Sequence, residues 1–424
     1  MYKRKILVLV PFWSVYRDFQ MTDIYNNLAT KYEVKVVTSD FNVFGDYVYS
    51  DFYTKRVGLI SRVLLKLING IFSLQEWTFV VKMDLSKVKV SFAKLVLPKS
   101  VRKVVMLLLT NVYCRISHKW LNDIYINDFD VVITSYPFLS GSRSMDYPIV
   151  YRAIKKGVKT IAIYNGMDNT SSKGYVVPRI SKHLVWNKSM KNELQKNHFV
   201  NKRYVEVSGS LNGYLLNLVK ADIENLSNEK YLLYCSSGFG MLPSEDLIIK
   251  AINELLKDIY PQIKLYVRIH PASNTTEVEK IKQVCDKVVN DEVRGQNHLT
   301  APIDVLDQQN YVKQLLSAVG VLGCFTTCLC DAKLLQRPTI NIAFCPSGEN
   351  ALQIDKLSQY SHNVRYLEYL DIKNCLSSKD LIEYLSSIES QTEIEDPFIE
   401  AVFGPYKEAR TKALREIEKA VRLV

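Results

Sequence analysis

The chain has 424 residues, 47% of them apolar, and a formal net charge of +11 with a pI near 9.0. The apolar share excludes a disordered chain, and the length exceeds one typical core and fits two domains of about 200 residues each. The basic balance points to anionic partners such as phosphates, nucleic acid or anionic lipid, or more plainly to solubility.

The opening "MYKRKILVLVPFW" imitates a signal peptide. Its apolar run is only Ile6–Val10 before Pro11, with no small-residue cleavage site after it, so a buried first strand is expected. "KILVLV", "MTDIYNNLATKY" and "EVKVVTS" read as strand, helix, strand, the start of a parallel sheet. The intervening "PFWSVYRDFQ", with Asp18, reads as the first strand's loop. Residues 53–125 disperse Arg56, Arg62 and Lys66, and later Arg102 and Lys103, among Leu, Ile and Val. That pattern suits an insertion facing a membrane surface, or an ordinary covering helix with snorkelling cations. No run reaches the ~18 apolar residues of a membrane span.

Next come the strand "FDVVITS", the helix "MDYPIVYRAIKKG" and the strand "VKTIAIYNG". "NGMDNTSSKG" (Asn165–Gly174) then reads as a loop, because Asn, Asp, Ser and Gly favour turns. "HLVWN", "KSMKNELQKN" and "RYVEVSGS" close a first domain at residue 210. A second α/β series spans 211–402. "YLLYCSSG" and "IKLYVRIHP" are strands entering loops, with the helix "EDLIIKAINELLKDIY" between them. "VEKIKQVCDKV" is helical, "NYVKQLLSAVGVLGCFTT" is helix then strand, "CLCDAKLLQRP" is helical, and "TINIAF" is a strand. Residues 403–424 form an amphipathic helix expected to pack back on the first domain. The fold class is α/β, with two Rossmann-like domains facing across a cleft.

Eight cysteines are sparse for this length and irregularly spaced. Cys324, Cys328 and Cys330 in "CFTTCLC" have no second pair or His to complete a zinc site, so they read as small buried thiols in a reducing cytoplasm. In that setting the triplets at Asn169, Asn187 and Asn274 carry no glycosylation meaning.

Polar clusters fall at strand ends, where open α/β sheets bind ligands. "SSGFG" contributes Ser236, Ser237 and Gly238, or is simply a turn. "RIHP" contributes Arg268, His270 and Pro271; the two cations can offset a diphosphate, or the histidine only ends its strand. Thr326 and Thr327 sit at a helix start, either as a phosphate site or as an N-cap. Asp331, one turn on, can accept ribose hydroxyls. There is no Walker A pattern, and no G-x-G-x-x-G follows the first strand. Charge is not gathered into a basic arm, so nucleic acid is not an expected partner.

The order "MDNTSSKG … HLVWNKSMKNELQKNH … VEVSGS … LLYCSSG … VRIHP … LLSAVGVLGCFTTCLCDAKLLQRPTINI" resembles bacterial two-domain glycosyltransferases of GT-B type. More narrowly, it resembles the branch related to CDP-glycerol glycerophosphotransferases and surface-polysaccharide transferases. The resemblance covers roughly residues 130–345. Met167 departs from the tryptophan usual before "DN", and Asp331 stands where Glu is common, which shortens the reach to a ribose.

The resemblance implies a cytoplasmic enzyme, peripheral to the inner membrane face. It would move a sugar from a nucleotide-sugar donor to a lipid-linked or oligosaccharide acceptor in lipopolysaccharide, O-antigen or capsule synthesis. No cofactor and no metal is expected, with the nucleotide sugar as substrate and an anionic membrane surface as partner. Asp168 is the candidate base, with Asn169 and Ser171 orienting it and Lys173 offsetting charge; alternatively Asp168 merely caps a turn. Asp18 is the rival base. The rival functions are a CDP-alditol phosphotransferase of teichoic-acid type and a non-catalytic binding protein in an assembly complex.

Overall fold

The computed structural model describes residues 3–38, 47–49, 58–73, 99–117, 126–139, 146–224, 226–237, 241–271, 273–290, 305–346, 348, 350–388 and 395–423. The chain divides into two compact units, Met1–Tyr214 with Phe403–Val424, and Leu215–Val402.

The strands of the first unit are β1 (Lys5–Val10), β2 (Glu33–Thr38), β3 (Tyr47–Tyr49), β4 (Val131–Thr134), β5 (Phe138–Leu139), β6 (Lys159–Ile163), β7 (Tyr175–Val176), β8 (Lys182–Val185) and β9 (Val205–Val207). Seven of them form one sheet in the order β3-β2-β1-β4-β6-β8-β9, and every pairing in it is parallel. A parallel strand covered on both faces needs a continuous apolar run, not an alternating one. "ILVLV" meets that demand, and Ile6 to Val10 are all buried. The chain lays strands outward from β1 in one direction and then from β4 in the other, so the switch point lies between those two. At their carboxyl ends Phe12 and Tyr136 meet edge to face, 5.0 Å apart. β5 and β7 pair antiparallel outside this sheet.

The segment after β1 is a helix, Trp13–Met21, and not the expected loop. Its Trp13, Tyr16 and Phe19 recur every three residues and are buried. That period outweighs the turn signal of "PFWS". In region 53–125 the described parts include two helices packed on each other, Leu59–Ser73 and Lys99–Ser117. Arg56 lies outside the described residues.

The carboxyl-terminal helix, Ala409–Arg422, belongs to the first unit. It buries Ala409, Ala413, Ile417 and Val421, one residue per turn. It also makes polar contacts: Arg410 donates to the Thr22 carbonyl at 2.7 Å and reaches Asp23 at 2.8 Å, and Lys31 reaches Glu418 at 2.6 Å.

The second unit holds β10 (Tyr231–Cys235), β11 (Lys264–Arg268), β12 (Lys287–Asn290), β13 (Gly320–Gly323), β14 (Thr339–Ile342) and β15 (Lys373–Cys375). Their order is β12-β11-β10-β13-β14-β15, again all parallel. The switch point lies between β10 and β13. The expected helix "VEKIKQVCDKV" stops at Lys282, and β12 takes up its end. Short β-branched runs such as "KVVN" are ambiguous by period alone. Among the described residues, no helix is long and apolar enough to cross a membrane.

Candidate functional site

In the first unit the stretch after β6 is not an open loop. Asn169–Ser172 form one helical turn, and Met167, Asn169, Thr170, Ser171 and Ser172 are all buried. It is held from below. Trp186 Nε1 donates to the Tyr164 carbonyl at 2.7 Å, and Tyr164 Oη lies 2.9 Å from His183 Nδ1. The Thr170 hydroxyl bonds Glu193. His198 Nδ1 accepts the Val176 N–H at 3.2 Å, so its Nε2 carries the proton and donates to the Thr170 carbonyl at 2.8 Å. Burial pushes His198 down to about 4. It pushes His183 to about 3, with the nearby His198 adding to the effect.

Asp168 stands at the start of this turn. Its Oδ2 accepts the Ser172 hydroxyl at 2.6 Å and lies 3.0 Å from Lys173 Nζ. The carboxylate raises the pKa of Lys173 more than burial lowers it. Asn169 donates to Asn165 Oδ1 at 2.9 Å, and the Ser171 hydroxyl donates to the Asp168 carbonyl at 3.0 Å. These two side chains fix the turn. A Cβ at Gly166 would lie 2.7 Å from Asn169 Oδ1 and 2.9 Å from Asp168 Oδ1, so any larger residue there would displace these two side chains.

Asp18 sits in a different environment. Its side chain is 3% exposed against 23% for Asp168. Arg17 bonds its Oδ1 from both Nε, at 2.9 Å, and Nη2, at 2.5 Å, and the same Nη2 donates to Asn212 at 3.0 Å. Burial raises the Asp18 pKa, and the guanidinium partly offsets it. Asp18 is built to hold Arg17, and Asp168 is the more accessible carboxylate.

In the second unit the ends of three strands are tied together. The Ser236 hydroxyl oxygen accepts the His270 N–H at 2.7 Å, linking β10 to β11. The Ser237 hydroxyl donates to the Cys324 carbonyl at 2.6 Å, linking β10 to the end of β13. Ser236, Ser237, His270 and the Thr326 loop therefore share one carboxyl edge of the sheet. Gly323 permits this closeness: a Cβ there would lie 2.5 Å from Thr326 Cγ2 and 3.0 Å from the Cys235 carbonyl oxygen. Phe325 takes a left-handed φ of 50°, fixed by its N–H donating to Asn341 Oδ1 at 2.7 Å. Thr327 is the N-cap of helix Cys328–Leu334, makes no side-chain cap bond and is exposed. Pro271 begins the turn closed by Ser273 N–H to the His270 carbonyl at 2.9 Å. Gly238 lies outside the described residues.

Arg268 turns toward helix Val305–Ser317. It donates to Gln314 Oε1 at 2.6 Å and stacks 4.6 Å from the Tyr311 ring centroid. Tyr311 in turn donates to Asp331 Oδ2 at 2.8 Å. Arg268 and Asp331 thus join through a tyrosine that spacing did not reveal.

Sequence reasoning also missed Glu245, Asn290 and the Cys235–Cys328 contact. Glu245 is buried, accepts the Ser237 N–H on both oxygens at 2.9 and 3.1 Å, and accepts the Tyr234 hydroxyl at 3.0 Å. Burial raises it to about 7. Asn290 clamps both backbone groups of Ile269, at 2.7 and 2.9 Å. The Cys235 thiol lowers the pKa of Cys328, with the Tyr311 hydroxyl, the Arg268 charge and Thr326 adding to the effect. Among the described residues, no three His, Cys, Asp or Glu side chains gather as a metal site requires.

No family model matches the chain, and no curated protein matches it in sequence. Solved structures do match in fold. S. aureus MnaA, solved with UDP, is 11% identical, with 99% of this chain and 98% of that one covered at a TM-score of 0.55. The UDP-GlcNAc 2-epimerase of Methanocaldococcus jannaschii, solved with UDP-GlcNAc and UDP, is 11% identical over 98% and 99%, at 0.52. The wall teichoic acid polymerase TagF, solved with CDPG, is 10% identical over 99% and 89%, at 0.49. The chain has a GT-B-type fold: two Rossmann-like α/β units with an added carboxyl-terminal helix. It shares that fold with enzymes that process nucleotide sugars.

Proposed function

We propose that this chain is a transferase of surface-polymer synthesis that uses a nucleotide-linked donor. The reading is carried by one observation: the ends of β10, β11 and β13 are tied into a single edge holding Ser236, Ser237, His270 and Thr326. Hydroxyls and an imidazole at a topological switch point suit a nucleoside diphosphate. The UDP-bound state of the fold relative from S. aureus is the parallel for that role. Asp331 is the proposed ribose contact. The Cys235–Cys328 pair and Arg268 stand behind the edge, with Arg268 acting through Tyr311 and not on the phosphates directly. Protein donors, without a metal, take the diphosphate charge in this proposal.

Two transfer chemistries use such a donor. Alditol phosphate moves from a CDP-alditol with release of CMP, and a sugar moves from a nucleotide sugar with release of a nucleoside diphosphate in most cases. We favour the first. The "VRIHP" and "SSKG" stretches resemble those of the CDP-glycerol branch, and His270 puts an acid–base group on the edge where a reacting phosphorus would sit. In either chemistry Asp168 takes the proton of an acceptor hydroxyl. Lys173 and Ser172 orient its carboxylate, while Asn169 and Ser171 hold the turn. The acceptor is a glycan or lipid-linked chain, worked on at an anionic membrane surface.

Melting curves with CDP, UDP, GDP and dTDP test the donor reading. A bound nucleotide stabilises by about 2.7 kcal/mol at a hundredfold excess over Kd. Thr326→Val and His270→Ala should shrink that shift, and a chain that answers to none of the four nucleotides overturns the reading. Release of CMP from a CDP-alditol, against a nucleoside diphosphate from a sugar donor, separates the two chemistries.

A further inference from the structure

We infer that the outward face of helices Leu59–Ser73 and Lys99–Ser117 is the surface by which this protein seats on an anionic lipid bilayer. This deepens the proposed function, on whose membrane setting it rests. Each helix has a packed side and an open side. Ser61, Leu65 and Ile68 are buried on the first, and Met106, Thr110 and Tyr113 on the second. Among the described residues, the opposite sides carry rows of exposed apolar side chains. Leu59 is 70% exposed, Ile60 64% and Leu67 50%, with Val63 between them. On the second helix Val104 and Leu108 are 55% and 60% exposed, and Val112 continues the row. The spacing of three to four residues makes each row continuous along one helix face. A water-facing helix side normally bears charged residues at such positions, and an apolar patch on this scale marks a docking surface.

Charge identifies the occupant. Arg62, Lys66 and Arg115 are exposed beside these rows, and neither helix contains an Asp or Glu. Apolar side chains that reach the acyl boundary, with cations at headgroup height and no acid to repel phosphate, match an interfacial helix pair. A self-association surface would instead bring the cations of two copies together.

The test uses the full chain. Sedimentation with phosphatidylcholine vesicles containing phosphatidylglycerol, and with phosphatidylcholine alone, should show binding only where the anionic lipid is present, falling with salt. Replacing Arg62, Lys66 and Arg115 by Gln should weaken binding roughly fivefold per cation. Val63→Ser with Leu67→Ser and Leu108→Ser should weaken it without altering elution volume. Vesicle binding unchanged in both folded variants overturns the inference. So does a wild-type dimer that the apolar variant converts to monomer with vesicle binding intact. Nucleotide melting shifts, measured without vesicles, should stay at wild-type size in both variants. Their absence in the wild type would sink the donor reading alone.

Discussion

The Lys173 ammonium stands 3.0 Å from the Asp168 carboxylate oxygen that also takes the Ser172 hydroxyl at 2.6 Å. Both neighbours lie within five residues of Asp168, so one helical turn after β6 aims the carboxylate. A partly exposed pair of this kind adds little to stability, about 0–1 kcal/mol. Its value is orientation.

Asp168→Asn keeps the shape and the Ser172 hydrogen bond but removes the proton acceptor. Turnover at saturating donor and acceptor should fall ~10²–10⁴-fold, with melting and nucleotide binding near wild type. Asp18→Asn should do the reverse. It removes the carboxylate that Arg17 bonds in a buried setting, and breaking such a pair costs about 3–5 kcal/mol. A folded Asp168→Asn enzyme with normal turnover would take Asp168 out of the mechanism.

The central strands of both sheets were legible because buried parallel strands are continuous apolar runs, as in "KILVLV" and "YLLYC", whereas β12 was read as the end of a helix. The carboxyl-terminal helix was legible from its spacing alone. The Asn165–Gly174 stretch was read as a loop because its residues are turn formers. Part of it is a buried helical turn instead, since His198 and Glu193, more than 20 residues on from Thr170, satisfy that residue's carbonyl and hydroxyl. The carboxyl edge of the second sheet was half legible. Ser236, His270 and Thr326 mark strand ends, but Tyr311 joins Asp331 from 20 residues away and Glu245 reaches Ser237 across a turn. Pairings fixed by tertiary packing leave no local period to read.

Glu245 makes the stability of the second unit pH-sensitive. Its folded pKa is raised from 4.5 to about 7, so the folded state binds the proton more tightly than the unfolded one. Its contribution is fully present below about pH 4.5 and is lost as pH rises through about 7, on the order of 3 kcal/mol. Glu245→Gln should flatten that part of the profile. Denaturant midpoints of both proteins from pH 5 to 8 check it, and parallel curves would exclude Glu245 as the titrating group.

His183 and His198 slope the other way. Both are buried neutral, with folded pKa values of about 3 and about 4 against an ordinary 6.5. The unfolded chain therefore binds more protons below pH 6.5, and stability present above that pH is lost as it falls toward 4. His198→Gln removes the titration while leaving an amide for the Thr170 carbonyl. Its acid unfolding, followed by fluorescence, should begin at lower pH than in the wild type. An unchanged acid limb would mean that other groups set it.

Gly404 and Gly157 separate two costs of a side chain. Both have positive φ, 63° and 78°, so alanine at either pays roughly 1–2 kcal/mol for a left-handed backbone. Nothing lies within 4 Å of a Cβ at Gly157, whereas at Gly404 it would fall 1.7 Å from the Trp186 carbonyl oxygen. That oxygen cannot move freely, because Trp186 is stacked on Phe403 at 5.9 Å and donates its Nε1 to Tyr164. The neighbouring crossing is also closed, with the Ser210 N–H on the Phe403 carbonyl at 2.8 Å. Gly404→Ala should add about 1–3 kcal/mol of overpacking to the backbone cost, and Gly157→Ala should not. All four tryptophans fall at positions 13, 77, 120 and 186 of the sequence, within the first unit, so tryptophan fluorescence during denaturation reports that unit directly. Equal midpoints for the two variants would mean that the returning segment does not press on Trp186.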